Sequence, residues 1–254
     1  MIINKENQLR EWFTRECDPI RKVIDGLDIG WGGVQRRVTR EMIMQPGGHH
    51  LDVACGYGTF LAQMGWRFPE NRLFGLNIDY KGAHACIHDL LSEAGVKTLL
   101  VQADARSIPF PTGAFSSISC FMGLQDIRIN AGIHGVKKAM GEIMRVVEQY
   151  GYVTVVDELP VSEFKEYLAN IDHDVIKEIP LTVDVKWKRH IAERAIELYA
   201  DGWIAQTELT DAHDKERLFD KVYHDMKTSM EEQLKKHGFY MPFDNMRMIV
   251  FQKI

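Results

Sequence analysis

What the chain lacks narrows its class before any motif is considered. It has four cysteines, Cys17, Cys55, Cys86 and Cys120, and no two of them form a C-x-x-C pair. That excludes a disulfide scaffold, a zinc knuckle and a thioredoxin-type centre, and scattered thiols fit a reducing compartment. No apolar run approaches the roughly 18 residues of a membrane span. The N-terminal MIINKENQLREWF has no apolar core of signal-peptide length. The expectation is therefore a soluble, cytoplasmic protein. Neither sign of charge dominates, with 31 basic residues against 36 acidic ones. Such a chain is not built for non-specific binding to nucleic acid. Eight prolines and no low-complexity stretch exclude collagen-like and disordered classes. A chain of 254 residues can bury a core without staples.

What is present is an alternation. Residues 1–45 are charged and helix-like, with Trp12, Phe13, Cys17 and Ile20 on one face; Gly30-Trp31-Gly32-Gly33 interrupts them, and VQRRVTREMIM resumes the pattern. Pro46-Gly47-Gly48 ends it. From there strand-like runs at 50–54, 73–78, 98–103, 115–121 and 152–156 alternate with helix-like runs at 59–68, 81–94 and 133–148. Strand–helix alternation argues for a parallel sheet covered on both faces, and right-handed crossovers make it doubly wound. Beyond Asp157 the alternation weakens. Lys186 to Tyr199 reads as a helix stopped by Gly202, Trp203 to Leu209 as a strand, 211–237 as a charged helix, and Met246 to Gln252 as a last strand.

The most informative segment is Leu51-Asp52-Val53-Ala54-Cys55-Gly56-Tyr57-Gly58-Thr59, where a strand runs into a glycine turn that opens a helix. Glycines let the backbone turn tightly and let a ligand approach without meeting a Cβ. Ligands of such sheets sit beyond the strand C-termini. A dinucleotide fingerprint needs a further glycine where Leu61 stands. Asp52, four residues before Gly56, suits a ligand that carries positive charge rather than a pyrophosphate.

This segment resembles the first motif of the class I S-adenosylmethionine-dependent methyltransferases, and the likeness continues in chain order. Phe74-Gly75-Leu76-Asn77-Ile78-Asp79 is similar to the second strand of that family, Gln102-Ala103-Asp104-Ala105 to the end of the third, Ser107-Ile108-Pro109-Phe110-Pro111 with Phe115-Ser116 to the run into the fourth, and Glu142 to Val147 with Gly151-Tyr152-Val153 to the approach to the fifth. The resemblance implies a Rossmann-like, seven-stranded, mostly parallel sheet with a helical N-terminal cap. As a division of the chain it implies one methyltransferase domain over 1–254, with a cap at 1–45, a cofactor-binding core at 48–157 and a substrate-side part at 158–254. S-adenosylmethionine is the implied cofactor, S-adenosylhomocysteine its product. The implied cofactor contacts are Asp52, Ala54, Cys55, Gly56, Gly58, Asn77, Ile78, Asp104, Ala105 and Phe121, with Asn77 at the ribose and Asp104 facing the adenine amine. Two positions depart from the family. Asn77 stands where an acid is usual, with Asp79 a substitute if the strand runs one pleat further, and Ser116 stands where aspartate commonly follows Phe115.

Methyl transfer is an in-line displacement that rests on alignment, so a general base is needed only when the acceptor holds its proton tightly. The candidates are Asp126 in the loop after the fourth strand, Glu158 just past the fifth, and His134 near a helix start; each also has an ordinary surface or capping reading. That loop, Cys120 to Asp126, lacks the Asn/Asp-Pro-Pro-aromatic pattern of enzymes that methylate amino groups on bases or glutamine. The acceptor expected is a small, apolar molecule, not nucleic acid. The alternatives are a protein or tRNA methyltransferase, or a non-catalytic S-adenosylmethionine-binding regulator of the same fold. Trp31 and Arg36 in the cap are candidates to meet substrate. His49 and His50 read as bland residues ahead of the first strand, and His84 with His88 as a solvated pair, so no metal site is expected. The apolar spacing in 211–237 reads as core packing, with a lid or a homodimer contact as the sharper alternative.

Overall fold

A computed structural model of the chain describes residues 2–16, 33–81, 85–159, 161–183, 186–206, 209–243 and 245–254. The described elements are, in order, α1 (Ile2–Glu16), α2 (Gly33–Glu41), β1 (His49–Val53), α3 (Thr59–Arg67), β2 (Arg72–Asn77), α4 (Ile87–Glu93), β3 (Thr98–Gln102), β4 (Phe115–Phe121), α5 (Leu124–Val146), β5 (Val147–Asp157), α6 (Val161–Tyr167), β6 (His173–Pro180), α7 (Arg189–Gln206), α8 (Ala212–His237) and β7 (Arg247–Lys253). Seven strands form one sheet in the order β3-β2-β1-β4-β5-β7-β6. The first five are parallel, and β7 runs antiparallel to both its neighbours. The doubly wound expectation holds.

The sheet divides the core in two. On one face Phe60, Leu61, Met64, Ile87, Leu90 and Met230 pack with residues of α2 and α7. On the other, Phe115, Ile118, Val136, Met140, Ile143 and Phe164 pack beneath α5 and α6. Leu61, at the position where a dinucleotide fold has its third glycine, is fully buried between α3 and the sheet.

Three readings need correction. The helix expected from residue 133 begins at Leu124, in two pieces joined at Gly132, where φ is +64°. The first piece carries mixed polar residues bounded by glycines and reads as loop. The helix expected to stop at Gly202 runs to Gln206, so 203–206 is helical rather than a strand. The sixth strand, HDVIKEIP, carries charges at several positions and lies at the sheet edge, where no second face demands apolar alternation. Trp31, Cys17 and His84 lie outside the described residues.

A buried acid links the two N-terminal helices to α3. Glu6 of α1 is 4% exposed. It accepts from Arg36 of α2 and, at 2.7 Å, from Gln63 Nε2 of α3. Arg36 is thus committed to a helix–helix tie, not turned toward a ligand. Glu6→Ala strands both donors and is expected to cost about 2 kcal/mol, lowering Tm by about 4–8 °C for a chain of this size. Thermal unfolding checks this, and an unchanged Tm would mean the tie carries no stability.

Candidate active site

The site forms where β1, β2, β3 and β4 end. β1 is short, and its register brings Asp52 beside Gly75 on one side and Ser119 on the other. The chain then turns through Ala54 (φ +57°), Gly56 (φ +52°) and Gly58 (φ +79°) before α3 begins. The two glycines do different jobs. A Cβ at Gly56 would meet nothing within 4 Å, so its bare α-carbon opens onto free space. A Cβ at Gly58 would lie 2.9 Å from Ile87 Cγ1 and 3.3 Å from Leu91 Cγ, so that glycine is required by packing against α4.

The free space beside Gly56 is a slot of about 120 Å³. Its walls include Ala54, Leu76, Asn77, Ile78, Ala103, Asp104, Ala105 and Gly123, with Asp126, Ile127 and Asn130 from α5. Ile78 is 51% exposed there, an apolar side chain that a flat ring would cover. Asn77 is buried and gives its amide hydrogen to the Asp79 carbonyl at 3.0 Å. β2 ends at Asn77, and the Asp79 carboxylate accepts from the Lys81 N–H at 3.1 Å. Asp79 therefore does not replace Asn77. Asp104 lines the slot, but its carboxylate is gripped by Arg106: Nε donates at 3.0 and 2.9 Å, Nη2 at 2.6 Å, and the Arg106 backbone N–H at 2.7 Å. These bonds hold Asp104 below the ordinary carboxylate range. The acceptor in the slot with no partner is Asn130 Oδ1, which is buried and unbonded. Asn130 was not anticipated; its signal is its place four residues after Asp126, on the same helical face.

Asp52 does not line the slot. It lies beneath the turn, 1% exposed, at the end of a buried polar ladder across β1 and β4. His50 Nδ1 is 2.8 Å from Ser117 Oγ, His50 Nε2 is 2.9 Å from Ser119 Oγ, and Ser119 donates to Asp52 Oδ1 at 2.6 Å. The direction of that last bond fixes the rest. Ser119 has spent its hydrogen, so His50 carries its proton on Nε2 and donates, while Nδ1 faces the Ser117 hydroxyl, which itself donates to Met44 Sδ at 3.1 Å. Burial keeps His50 neutral, down to about 3, and pushes Asp52 up to about 7 against the lowering effect of Ser119. Asp52 Oδ2 is buried without a partner. His50 is thus a core residue of β1 rather than a bland one ahead of it. Its signal was the pairing of H-x-D with S-x-S on two neighbouring strands.

Cys55 and Phe121 pack into the core, and burial raises the Cys55 thiol. The three candidate bases are not brought together. Asp126 lines the slot. Glu158 lines a second cleft, with Gln125, on the other side of α5. His134 is exposed, two residues past the kink, and lines neither. Asp157 caps α5, accepting from the Gln125 and Glu158 N–H groups at 3.1 and 2.8 Å. Among the described residues no cluster of three or more His, Cys, Asp or Glu is placed to hold a metal, and no helix is long and apolar enough to cross a membrane.

Residues 51–155, the stretch from β1 to β5 that builds this slot, match the family model of a methyltransferase domain. That stretch is a methyltransferase domain, and it is similar to the class I S-adenosylmethionine-dependent methyltransferases. It is 27% identical over 136 residues to a demethylmenaquinone methyltransferase of Thermus thermophilus, covering 53% of this chain and 57% of that one. It is 24% identical over 187 residues to a protein of the same name from Symbiobacterium thermophilum, covering 68% and 72%. The chain thus spans little more than half the length of the Thermus relative. Among solved structures, a putative methyltransferase of Bacillus halodurans shares the fold at a TM-score of 0.57 and 12% identity, over 86% of this chain and 97% of that one.

The residues of the slot fit an adenosyl group. The bare α-carbon of Gly56 leaves room at the turn, Ile78, Ala103 and Ala105 offer apolar walls to a base, and the orphaned Asn130 Oδ1 is an acceptor awaiting a donor.

Proposed function

We propose that this methyltransferase moves the methyl group of S-adenosylmethionine onto a small lipophilic acceptor. The observation that carries the reading is the slot: a glycine turn with open space at Gly56, closed on its far side by an apolar wall and an unpartnered amide oxygen. The names of the two curated relatives support the choice of a lipophilic acceptor.

Bound S-adenosylmethionine supplies an electrophilic methyl on a sulfonium, displaced in line as the sulfur leaves with the bonding electrons. What the chain adds is placement. Asn77 at the end of β2 is set to hydrogen-bond a ribose hydroxyl. Ile78 and Ala105 hold the base flat. Asp52, buried beneath the turn, acts on the α-ammonium of the ligand through the turn, with full negative charge above about pH 7. Alignment of this kind can supply roughly 7–11 kcal/mol of a barrier.

Thermal unfolding with S-adenosylhomocysteine, against NAD as control, tests the reading. Ligand at about 100 times its Kd stabilises by roughly 2.7 kcal/mol, about 5–10 °C here. A shift with NAD alone, or with neither ligand, would overturn it.

A further inference from the structure

The slot has an inner end and an outer one. At the inner end α5 starts against the glycine turn: a Cβ at Gly123 would lie 2.5 Å from Ala54 Cβ. From there one face of α5 borders the slot, first Asp126 with Ile127, then Asn130 with Ala131. That is the spacing of three and four residues at which a helix face repeats. Asn130 stands seven residues, or about 10 Å, beyond Gly123. The end of β3, from Ala103 to Arg106, supplies another wall.

Gly132 closes this stretch of helix. Its backbone, at φ +64° and ψ −170°, lies in a region open essentially to glycine alone. The first piece of α5 is therefore set by its own anchors and not by the rest of the helix. Asp157 accepts from the Gln125 N–H at 3.1 Å, and Arg128 is held by Glu163 at 2.9 and 3.1 Å.

Two polar side chains of the slot differ in what they have left to offer a ligand. A carboxylate presents about four lone-pair directions. Arg106 fills them all at Asp104, with its backbone N–H and Nε on Oδ1 and Nε and Nη2 on Oδ2. Asn130 is the reverse case. Its Nδ2 donates to the Asp126 carbonyl at 2.9 Å, and a carbonyl only accepts, so the orientation of the amide is fixed. Oδ1 is the atom left over, closed off from solvent and without a partner. A buried acceptor with no donor is costly, and a ligand that brings a donor removes that cost.

We propose that Asn130 reads the base of the cofactor: Oδ1 accepts a hydrogen from the exocyclic amine of adenine, the role that the family resemblance gives to Asp104. The proposal rests on the methyl-transfer reading above. A tilt of the first piece of α5 about Gly132 uncovers Oδ1 as the base enters. Asp104 and Arg106 form a neutral pair already satisfied by each other, which shapes the slot and does not tell one base from another. Asn130 contributes recognition, and no step of the methyl transfer passes through it.

The test is equilibrium binding to the full chain, read by calorimetry, with S-adenosylhomocysteine and S-inosylhomocysteine. The second ligand carries an oxygen where the first has the amine, which sets acceptor against acceptor at Oδ1. The wild type is expected to prefer the adenosyl ligand by at least about tenfold, because the analogue leaves the site's acceptor unpaired. Asn130→Ala should bring the two ligands to within about twofold of each other, mainly by weakening the adenosyl one. Asn130→Asp retains an acceptor and should keep the preference. Asp104→Ala should keep it too, since Arg106 already occupies both of its oxygens. The ratio of the two affinities is the readout, so a change in stability common to both ligands does not move it. A wild type that binds the two equally, a preference that survives Asn130→Ala, or one that vanishes in Asp104→Ala would overturn the proposal. A wild type that binds neither ligand would instead overturn the methyl-transfer reading.

Discussion

Asp52→Asn is expected to make the protein more stable above neutral pH while weakening its hold on S-adenosylhomocysteine. Burial raises the Asp52 carboxyl from its ordinary 3.8 to about 7. The folded state therefore binds its proton over a window in which the unfolded chain has released it. Stability falls as pH rises through that window, and the penalty is absent below about pH 4 and complete above about pH 7. A shift of about three units corresponds to about 4 kcal/mol. Asp157, raised to about 6 by burial, acts in the same direction between about 4 and 6. His50 acts in the opposite one: kept neutral down to about 3, it erodes stability as pH falls below 6.5, where the unfolded chain takes up the proton. The wild-type curve mixes all three, so the variant is needed to separate them. Asparagine keeps the acceptor that Ser119 uses and removes the charge. The difference in Tm between variant and wild type should be near zero at pH 3.5 and approach about 10 °C at pH 8. A difference independent of pH would mean that Asp52 carries no buried charge. The loss of affinity, measured at pH 8, should reach at least about tenfold, or 1.4 kcal/mol, because the α-ammonium of the ligand loses its counter-charge.

Gly58→Val and Gly56→Ala should separate fold from ligand within a single turn. At Gly58 valine combines a branched side chain at φ +79° with a Cβ only 2.9 Å from Ile87 Cγ1. Left-handed strain and overpacking together come to roughly 3–5 kcal/mol, a fall of about 10 °C in Tm. At Gly56 the alanine methyl meets nothing within 4 Å. Only the left-handed strain remains, about 1–2 kcal/mol, and the methyl stands where the ligand would. Gly56→Ala should stay folded and lose S-adenosylhomocysteine binding by at least about tenfold. The reverse pattern, with binding lost only at Gly58 and stability only at Gly56, would refute the assignment of the two roles.

That division of labour was not legible in the sequence, where both glycines read as ligand contacts. What was legible was order: strands ending at a glycine turn, at Asn77 and at Asp104 lie side by side because β1, β2 and β3 are adjacent and parallel. Local pattern reported β1 and β2 because helices bury them, and the edge strand β3 because its Leu99-Leu100-Val101 run is apolar although Leu99 is exposed. It failed where tertiary context decides. Edge strand β6 carries Asp174, Lys177 and Glu178, because solvent tolerates them. The first turns of α5 read as a loop because their stability comes from Asp157, which lies thirty-odd residues away and caps them. His50 read as bland because its partners, Ser117 and Ser119, lie on a strand far along the chain. Asp104 read as a free acceptor, and only coordinates reveal that Arg106, its neighbour but one, holds it.

The sheet order carries a consequence for biosynthesis. β7 sits between β5 and β6, yet it follows every other strand in the chain. As the polypeptide leaves the ribosome, β5 has an open edge until residues 247–253 emerge, and β6 has nothing to join. The segment 181–246 between β6 and β7 delays that moment further, since at roughly 5–20 residues per second its synthesis takes several seconds. Through that interval the nascent chain exposes an apolar strand edge of the kind that other chains can pair with, so the last strand to be made governs whether the first five escape aggregation.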